Sequence, residues 1–396
     1  MQVHIMDDGQ FARVQRCLPC APEYRWDWEG LQETVFAPYF WKMERVQQHP
    51  VWHGEGNVWV HTRMVCQALA EMDAFRRLDE RRQQVLSLAA LLHDLGKITC
   101  TRLEDGVWVS PGHGAAGAQE ARRVMWQEMD LCGDAQAQAF REAVCFLIRY
   151  HTTPLHLIDH EDPPRRARKL AENGRLLPLF SLEMLCLLSE ADVLGRISDD
   201  RQEQLDTIQL GREAAREAGC LEGPYPFPSA CTRHAYLSGK NVWPQQELYD
   251  DSWGEVIMLC GLPGTGKDTW IKENHPDLPV VCLDDIRRRM GIAPTDNQGP
   301  VVQAAREEAK VYLRARRPFI WNATNITEML RKKQLRLFEE YHAAVRIVYL
   351  ETNWHENLRR NKERKYAVPE SAVCHMLEKL NPPEAWEGRS VEWYCV

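Results

Sequence analysis

A glycine-rich turn, Gly261-Leu-Pro-Gly264-Thr-Gly266-Lys267, most constrains how this chain can fold. It follows the apolar run EVIMLC at 255–260 and precedes a stretch typical of a helix. Glycines in such a turn let backbone amides approach a phosphate group closely, and the helix N-terminus favours negative charge. A strand, a phosphate-binding loop and a helix in this order predict the first unit of a parallel α/β sheet.

Three further short apolar runs alternate with helical stretches after this loop: PVVCL (279–283), PFIWNA (318–323) and VRIVYL (345–350). Strands that alternate with helices predict a parallel sheet covered on both faces. Residues 58–215 instead carry apolar residues at helical spacing, with further helices suggested at 141–150 and 181–194.

These patterns predict a multidomain chain. An all-α domain is expected at 1–220 and an α/β domain with a parallel sheet at 254–396, joined by a segment at 221–253. This segment is rich in proline, glycine and aromatic residues, which favours an ordered connector over a flexible linker.

The phosphate loop predicts a site for ATP or another nucleoside triphosphate with Mg²⁺. Lys267 is expected to reach the β- and γ-phosphates. The next residue is usually Ser or Thr, whose hydroxyl contacts Mg²⁺, but here it is Asp268. Because hard cations accept carboxylate oxygen, Asp268 can hold magnesium directly or through water. The residues assigned to the nucleotide are Gly261, Gly264, Thr265, Gly266, Lys267, Asp268 and Thr269.

The phosphate acceptor is expected beside the next strand. PVVCL leads into Asp284-Asp285-Ile286-Arg287, at the carboxyl end where α/β sheets bind ligands. A carboxylate there can take the proton of an attacking hydroxyl, and Arg287 can bind an acceptor phosphate. A helix cap beside a surface arginine is the alternative. Arg360 and Arg364, four residues apart, are predicted to share one helical face, either closing over the triphosphate or forming a solvated basic face.

A second constellation lies in the helical part. Histidines and carboxylates recur inside or next to apolar helical stretches, where buried ionisable groups need a partner such as a metal ion. Four imidazoles and two carboxylates suit two transition metals with Asp94 bridging, and His156 and His160 are alternatives to His151. His53-Gly-Glu-Gly56 is expected at the rim of this site. The predicted ligands are His61, His93, Asp94, His113, His151 and Asp192.

These motifs resemble two families. The helical constellation is the signature of the HD phosphohydrolase superfamily, which implies that Lys97 and Arg196 bind substrate phosphate; salt bridges to neighbouring carboxylates are the alternative. The phosphate loop, the Asp284 turn, Asn322-Ala-Thr324-Asn325 and the Arg360/Arg364 segment resemble the polynucleotide 5′-kinases of phage end-healing systems. That resemblance implies that Asp284 is the general base and that Arg287 contacts the 3′-phosphate of the terminal nucleotide.

Together the two halves resemble the bacterial HD-Pnk proteins, which are bifunctional end-healing enzymes. The resemblance implies that one site removes a 2′,3′-cyclic phosphate or a terminal 2′- or 3′-phosphate from RNA or DNA ends. The other site phosphorylates a 5′-OH end, so a separate nucleic-acid ligase is the implied partner. The metals expected in the HD domain are two ions of Mn²⁺, Ni²⁺, Co²⁺, Cu²⁺ or Fe²⁺.

The composition of the chain limits the kinds of partner that we expect it to bind. The net charge of −8 at pH 7 argues against coating long nucleic acid, but Arg331-Lys332-Lys333 and the basic run at 359–365 can serve a strand end. Scattered cysteines, including the Cys17/Cys20 pair, are expected to be reduced thiols. The sequence shows no bilayer-length apolar run and no secretory leader, so we expect a cytoplasmic protein without a membrane partner.

Two other functions fit part of the pattern. An HD nucleotidase fused to a small-molecule nucleoside or nucleotide kinase is favoured mildly by the acidic net charge. A regulatory protein that binds nucleoside triphosphates without turnover is opposed by the full set of ligands and by Asp284 on the acceptor side.

Overall fold

A computed structural model describes residues 9–293 and 296–396, so the first eight residues of the predicted N-terminal domain lie outside it. The chain divides into two compact units. One comprises residues up to Cys132 with Gln136–Tyr225, and the other Gly133–Ala135 with Pro226–Val396. The predicted connector is thus divided, because residues 226–253 group with the second unit. Within the described residues no helix is both long and apolar enough to span a membrane.

The first unit is helical, with a core where α4, α6 and α11 pack together. Each of these three helices begins at a side chain that accepts a backbone N–H of the first turn: Asn57, Asp79 and Ser181. Its helices are α1 (Gln10–Cys17), α2 (Trp28–Leu31), α3 (Ala37–Met43), α4 (Val58–Glu71), α5 (Asp73–Arg76), α6 (Glu80–Leu92), α7 (Lys97–Cys100), α8 (His113–Gln127), α9 (Ala135–Tyr150), α10 (Pro163–Ala171), α11 (Leu182–Leu194) and α12 (Arg201–Glu217), with 3₁₀ helices at Thr153–His156 and Glu172–Arg175.

A small hairpin interrupts the stretch that periodicity predicts as helical. Strands β1 (Arg102–Glu104) and β2 (Val107–Val109) pair antiparallel. The prediction of continuous helical structure over 58–215 is wrong here, because Asp105-Gly106 forms the two-residue turn that joins the strands. An Asp-Gly pair between short β-prone runs is the sequence signal for such a hairpin.

The second unit contains a five-stranded, fully parallel sheet in the order β4-β5-β3-β6-β7. This confirms the predicted fold class, a helical domain followed by an α/β domain. The elements are α13 (Ala230–Leu237), β3 (Glu255–Cys260), α14 (Lys267–Asn274), β4 (Val280–Cys282), α15 (Leu283–Arg289), α16 (Gly299–Arg314), β5 (Phe319–Asn322), α17 (Glu328–Glu340), β6 (Ala344–Glu351), α18 (Trp354–Glu363), α19 (Glu370–Glu378) and β7 (Ser390–Cys395).

Four of these strands match the predicted apolar runs, whereas β7 was not predicted. Residues of β3 such as Ile257 and Leu259 are buried against Trp270 of α14, as expected for a central parallel strand. Every residue of β7 is only partly buried, because this strand forms the edge of the sheet beside β6. Its sequence, SVEWYC, therefore lacks the continuous apolar run that reveals the inner strands.

Candidate active sites

All six predicted metal ligands converge in the helical unit. They come from five places in the chain: α4, the end of α6, the start of α8, the residue after α9, and α11. The side chains are His61, His93, Asp94, His113, His151 and Asp192, of which His113 is partly exposed and the other five are buried. The alternatives His156 and His160 are exposed, so His151 is the histidine that the fold brings to the cluster.

The imidazoles turn their Nε2 atoms toward one another. Nε2 of His61 lies 3.4 Å from Nε2 of His93, and Nε2 of His113 lies 3.2 Å from Nε2 of His151. The Nδ1 atoms of three of them lie 2.8 Å from backbone carbonyl oxygens, those of Ala90, Ser110 and Ile148. A carbonyl only accepts, so Nδ1 carries the proton and the Nε2 lone pair faces inward. Facing lone pairs repel unless a cation lies between them, so this donor set fits metal ions.

Asp94 belongs to both halves of the cluster. Its Oδ2 lies 3.3 Å from Nε2 of His93, and its Oδ1 lies 3.5 Å from Nε2 of His113. The groups His61-His93-Asp94 and Asp94-His113-His151 each have ligand atoms close enough to share one ion. This geometry agrees with the predicted bridging role of Asp94, and imidazole-rich sites suit transition metals.

Gly96 allows the two halves of the His/Asp cluster to lie close to each other. A Cβ placed on Gly96 would lie 2.0 Å from the carbonyl oxygen of His113 and 2.5 Å from the backbone nitrogen of Gly117. Any side chain at position 96 would therefore push α8, and His113 with it, away from Asp94. The glycine in His-Asp-Leu-Gly-Lys thus allows the predicted ligand His113, on a different helix, to lie close to Asp94.

The pKa shifts of four of the predicted ligands, His113, His151, Asp94 and Asp192, suit metal binding. Burial lowers the pKa of His151 to about 3 and also lowers the pKa of His113. Burial raises the pKa of Asp94, but Lys97 and His93 outweigh it and hold the pKa well below its usual range. Burial likewise raises the pKa of Asp192, but Arg196 and His61 outweigh it and hold the pKa well below its usual range. Neutral imidazoles and ionised carboxylates are the forms that bind metal. His61 differs, because burial lowers its pKa but the hydrogen bonds to Asp192 and Glu55 outweigh burial and raise it.

Lys97 and Arg196 each pair with the carboxylate of a predicted metal ligand. Nζ of Lys97 lies 2.8 Å from Oδ2 of Asp94 and donates to Oε1 of Gln48 at 2.7 Å. Arg196 donates to both carboxylate oxygens of Asp192. These ion pairs match the structural alternative stated above, and a role toward substrate phosphate stays a prediction.

Sequence reasoning missed the role of Glu55 behind the first ligand. Oε1 of Glu55 accepts from Nδ1 of His61 at 2.9 Å and from Nδ1 of His53 at 2.8 Å, and Oε2 accepts from the amide of Ile197 at 2.9 Å. Burial raises the pKa of Glu55, but these hydrogen bonds hold it well below its usual range. Carboxylates that orient ligand histidines are common, so a His-x-Glu before a ligand helix is a usable signal.

In the second unit the phosphate loop joins β3 to α14. Gly264 has φ +89°, and a Cβ there would lie 2.7 Å from the carbonyl oxygen of Asn357, so glycine is required. Nζ of Lys267 donates to the carbonyl oxygens of Gly261 at 2.9 Å and Leu262 at 2.7 Å. The amine therefore lies across the loop. Burial, and to a smaller extent the positive charge of Arg364, lowers the pKa of Lys267 to about 8.

Asp268 lies at the first turn of α14 beside the end of β5. Asp268 and Thr269 are both exposed, and Oδ1 of Asp268 accepts from Nδ2 of Asn322 at 2.8 Å. Carboxylate and amide oxygens next to a phosphate loop are ligands that suit Mg²⁺. The residue that departs from the usual Ser or Thr is thus held in place by a side chain of the neighbouring strand.

The predicted acceptor residues meet near this loop. Asp284 lies in the first turn of α15, where its Oδ1 accepts from Nη1 of Arg287 and its Oδ2 lies 3.7 Å from Nη2 of Arg364. Arg287 also donates from Nε to Oε1 of Gln298 at 2.7 Å. A cavity of about 600 Å³ opens beside Asp284 and is also lined by Asp268.

The prediction that Arg360 and Arg364 share a helical face is wrong. α18 ends at Glu363, and Arg364 has extended backbone. The side chain of Asn361 bonds to both the N–H and the carbonyl of Val368, at 3.1 and 2.7 Å, so it draws the chain back. Both arginines still lie by the loop. A guanidinium nitrogen of Arg360 lies 3.7 Å from where a Cβ of Gly266 would be.

One predicted basic cluster is partly structural. The guanidinium of Arg331 is buried and donates to both carboxylate oxygens of Glu387, at 2.6 and 2.7 Å. It is therefore committed to the core, whereas Lys332 and Lys333 are exposed. The Cys17/Cys20 pair forms no disulfide.

Two protein-family models match this chain, one in each unit. Residues 58–178 match the HD domain family, and this range contains every predicted metal ligand except Asp192. Residues 256–383 match the AAA domain family, and this range contains the phosphate loop and Asp284. The chain therefore carries an HD phosphohydrolase domain followed by a kinase-like P-loop domain of the AAA type.

Proposed function

We propose that the protein is a bifunctional end-healing enzyme for RNA or DNA strands. Its HD site removes a 2′,3′-cyclic phosphate or a terminal 2′- or 3′-phosphate, and its P-loop site transfers the γ-phosphate of ATP or another triphosphate to a 5′-OH end. The observation that carries the proposal is a cluster of four histidines and two aspartates in the same chain as a phosphate loop, next to which Asp268 and Asp284 line one cavity. A separate ligase would consume both products.

At the HD site, transition-metal ions would supply Lewis acidity that polarises the phosphoryl group and activates water. The chain's part is to orient the ligands through the backbone carbonyls behind His93, His113 and His151. Lys97 and Arg196 lie at the edge of the cluster with side chains 10% and 14% exposed. With metal ions held by the carboxylates, Lys97 and Arg196 would be available to bind anionic phosphate oxygens.

At the P-loop site, the amine of Lys267 would exchange its two carbonyl acceptors for phosphate oxygens of the nucleotide. Asp268 and Asn322 would hold Mg²⁺. Asp284 would accept the proton of the attacking 5′-hydroxyl, while Arg287 and Arg364, which flank it, would bind phosphate charge. Proton transfer to a placed carboxylate requires no covalent intermediate.

The alternative is an HD nucleotidase fused to a kinase for nucleosides or nucleotides. The net charge of −8 favours it, since a small substrate needs no extended basic surface. The lining of the acceptor cavity favours a nucleic-acid end, because four cationic side chains, Lys272, Arg288, Arg364 and Lys365, contribute to it.

One substrate tests both activities. An oligonucleotide, made as RNA and as DNA with a 3′-terminal ribonucleotide, carries a 5′-OH and a 2′,3′-cyclic phosphate and is incubated with ATP, Mg²⁺ and Mn²⁺ or Ni²⁺. Both ends should react. Asp284→Ala should abolish 5′-phosphorylation but still remove the cyclic phosphate. Asp94→Ala should do the reverse: it should leave the cyclic phosphate in place but still phosphorylate the 5′ end. The activity that each variant keeps shows that the protein is folded. Phosphorylation of free nucleosides without reaction at either oligonucleotide end would refute the proposal in favour of the small-molecule alternative.

A further inference from the structure

An exposed aromatic ring lines the acceptor cavity. Tyr366 is 55% exposed and shares the cavity of about 600 Å³ with Asp284. Two cations accompany the ring: the guanidinium carbon of Arg288 lies 4.8 Å from its centroid, and Nζ of Lys365 lies 5.5 Å from it. All four residues line the same cavity. An aromatic ring with two cations beside it is suited to a ligand that carries both a base and phosphate groups.

The segment that carries Tyr366 is fixed at both ends. It begins where α18 ends, with the amide of Arg364 bonded to the carbonyl oxygen of Asn361 at 3.3 Å. It ends at Val368, whose N–H and carbonyl both bond to the side chain of Asn361. Only Lys365, Tyr366 and Ala367 lie between these two attachments, so the backbone that carries the ring has little freedom and stays at the cavity wall.

The cavity matches one nucleotide in size and chemistry. Its volume lies within the range of about 300–1,000 Å³ that is usual for small-molecule sites. Part of its wall is apolar, with Ile271, Leu278 and Val280. Four cations and three carboxylates also line it, so the cavity is not anionic overall. A base can stack on the tyrosine while phosphates meet the cations.

We propose that Tyr366 stacks with the terminal base of a single-stranded acceptor and that Arg288 and Lys365 bind the phosphates that follow it. This inference rests on the proposed kinase function and deepens it. A nucleoside gains the stacking contact alone, whereas a chain of two or more nucleotides gains the phosphate contacts as well. The favoured substrate is therefore an unpaired 5′-OH end with at least one 3′-phosphodiester.

The stacking contact is tested by steady-state kinetics with a single-stranded 5′-OH oligonucleotide. Tyr366→Ala should raise the KM for the oligonucleotide by about tenfold or more and leave the KM for ATP within about twofold, while Tyr366→Phe should resemble the wild type. Tyr249→Ala is the matched control, because Tyr249 is 91% exposed in the same unit and does not line the cavity. It should change neither KM.

An abasic 5′-terminal nucleotide makes the test specific. The KM of the wild type for this abasic substrate should rise by as much as the KM of Tyr366→Ala rises for the normal oligonucleotide. The KM of Tyr366→Ala for the abasic substrate should rise little further, since both changes remove the same contact. Lys365→Gln should weaken oligonucleotide binding and lower its salt-dependence exponent by about one. Nucleoside phosphorylation should change less.

The outcomes separate this inference from the function on which it rests. If the wild type phosphorylates no oligonucleotide, the proposed function fails. If the wild type does so and Tyr366→Ala leaves the oligonucleotide KM unchanged, the stacking role alone is refuted. A rise confined to the KM for ATP would assign Tyr366 to the donor nucleotide and would also overturn the inference. An unchanged unfolding midpoint, required of each variant, excludes misfolding.

Discussion

Replacing Glu55 by glutamine tests how the first ligand is positioned. The carboxylate accepts three hydrogen bonds, from Nδ1 of His53, Nδ1 of His61 and the amide of Ile197. Glutamine has nearly the same shape but only one acceptor oxygen. If that oxygen faces the histidines, the new NH₂ group meets the N–H of Ile197; if it faces Ile197, the NH₂ group meets both imidazole donors. Every orientation loses at least one bond and the negative charge behind His61.

We expect Glu55→Gln to lower the affinity for a metal ion only at the end of the cluster that contains His61. Removing the partner of a metal-ligating histidine costs about 10- to 100-fold in affinity, which corresponds to about 1.4–2.8 kcal/mol. The lower figure applies if the glutamine oxygen keeps both histidine contacts. His113 and His151 are oriented by the carbonyls of Ser110 and Ile148, so the affinity of an ion bound there should not change.

Calorimetric titration of the chelated protein with Mn²⁺ measures both affinities. We expect one site weakened by about tenfold or more, phosphoesterase activity restored at high Mn²⁺, and an unaltered kinase rate. Glu120→Gln is the control, because that carboxylate pairs with Arg123 and Tyr39 elsewhere in the helical unit. Unchanged affinities in Glu55→Gln, or equal loss at both sites, would refute the positioning role.

Three further predictions concern the P-loop unit. Burial lowers the pKa of Lys267 to about 8. In the protein without nucleotide, the ammonium group therefore loses its proton as the pH rises through 8, and binding of phosphate restores the proton. Calorimetry with an ATP analogue in two buffers should therefore detect proton uptake near pH 8, which Lys267→Arg should abolish; buffer-independent heats would contradict this. Arg331→Ala leaves Glu387 buried without its cation and should lower the urea-measured unfolding free energy by about 3–5 kcal/mol, whereas Arg336→Ala, at an exposed ion pair, should cost under about 1 kcal/mol; equal effects would refute the contrast. Asp268→Ser should reduce several-fold the ratio of the ATP affinity with Mg²⁺ to the ATP affinity without it, because the Asp268 carboxylate repels phosphates that carry no metal ion. An unchanged ratio would show that Asp268 does not hold the ion.

Local chemistry could be predicted because it is encoded in neighbouring residues. A phosphate loop needs its glycines and lysine within a few positions, so Lys267 and its strand–loop–helix setting are visible in the sequence. Inner parallel strands are buried on both faces, so their apolar runs stand out. The half-buried edge strand at Ser390–Cys395 has no such pattern and was missed.

The residues of the His/Asp cluster could also be predicted from the sequence, because buried histidines and carboxylates within apolar helices need a partner. Tertiary structure decided which cations remain available at the surface. Arg331 does not contribute to the basic surface, because its guanidinium pairs with Glu387, 56 residues further along the chain. Arg364 faces Asp284 because Asn361 ends the helix and turns the chain. Motif residues are set by local spacing, whereas charge pairing depends on three-dimensional contacts that no short pattern encodes.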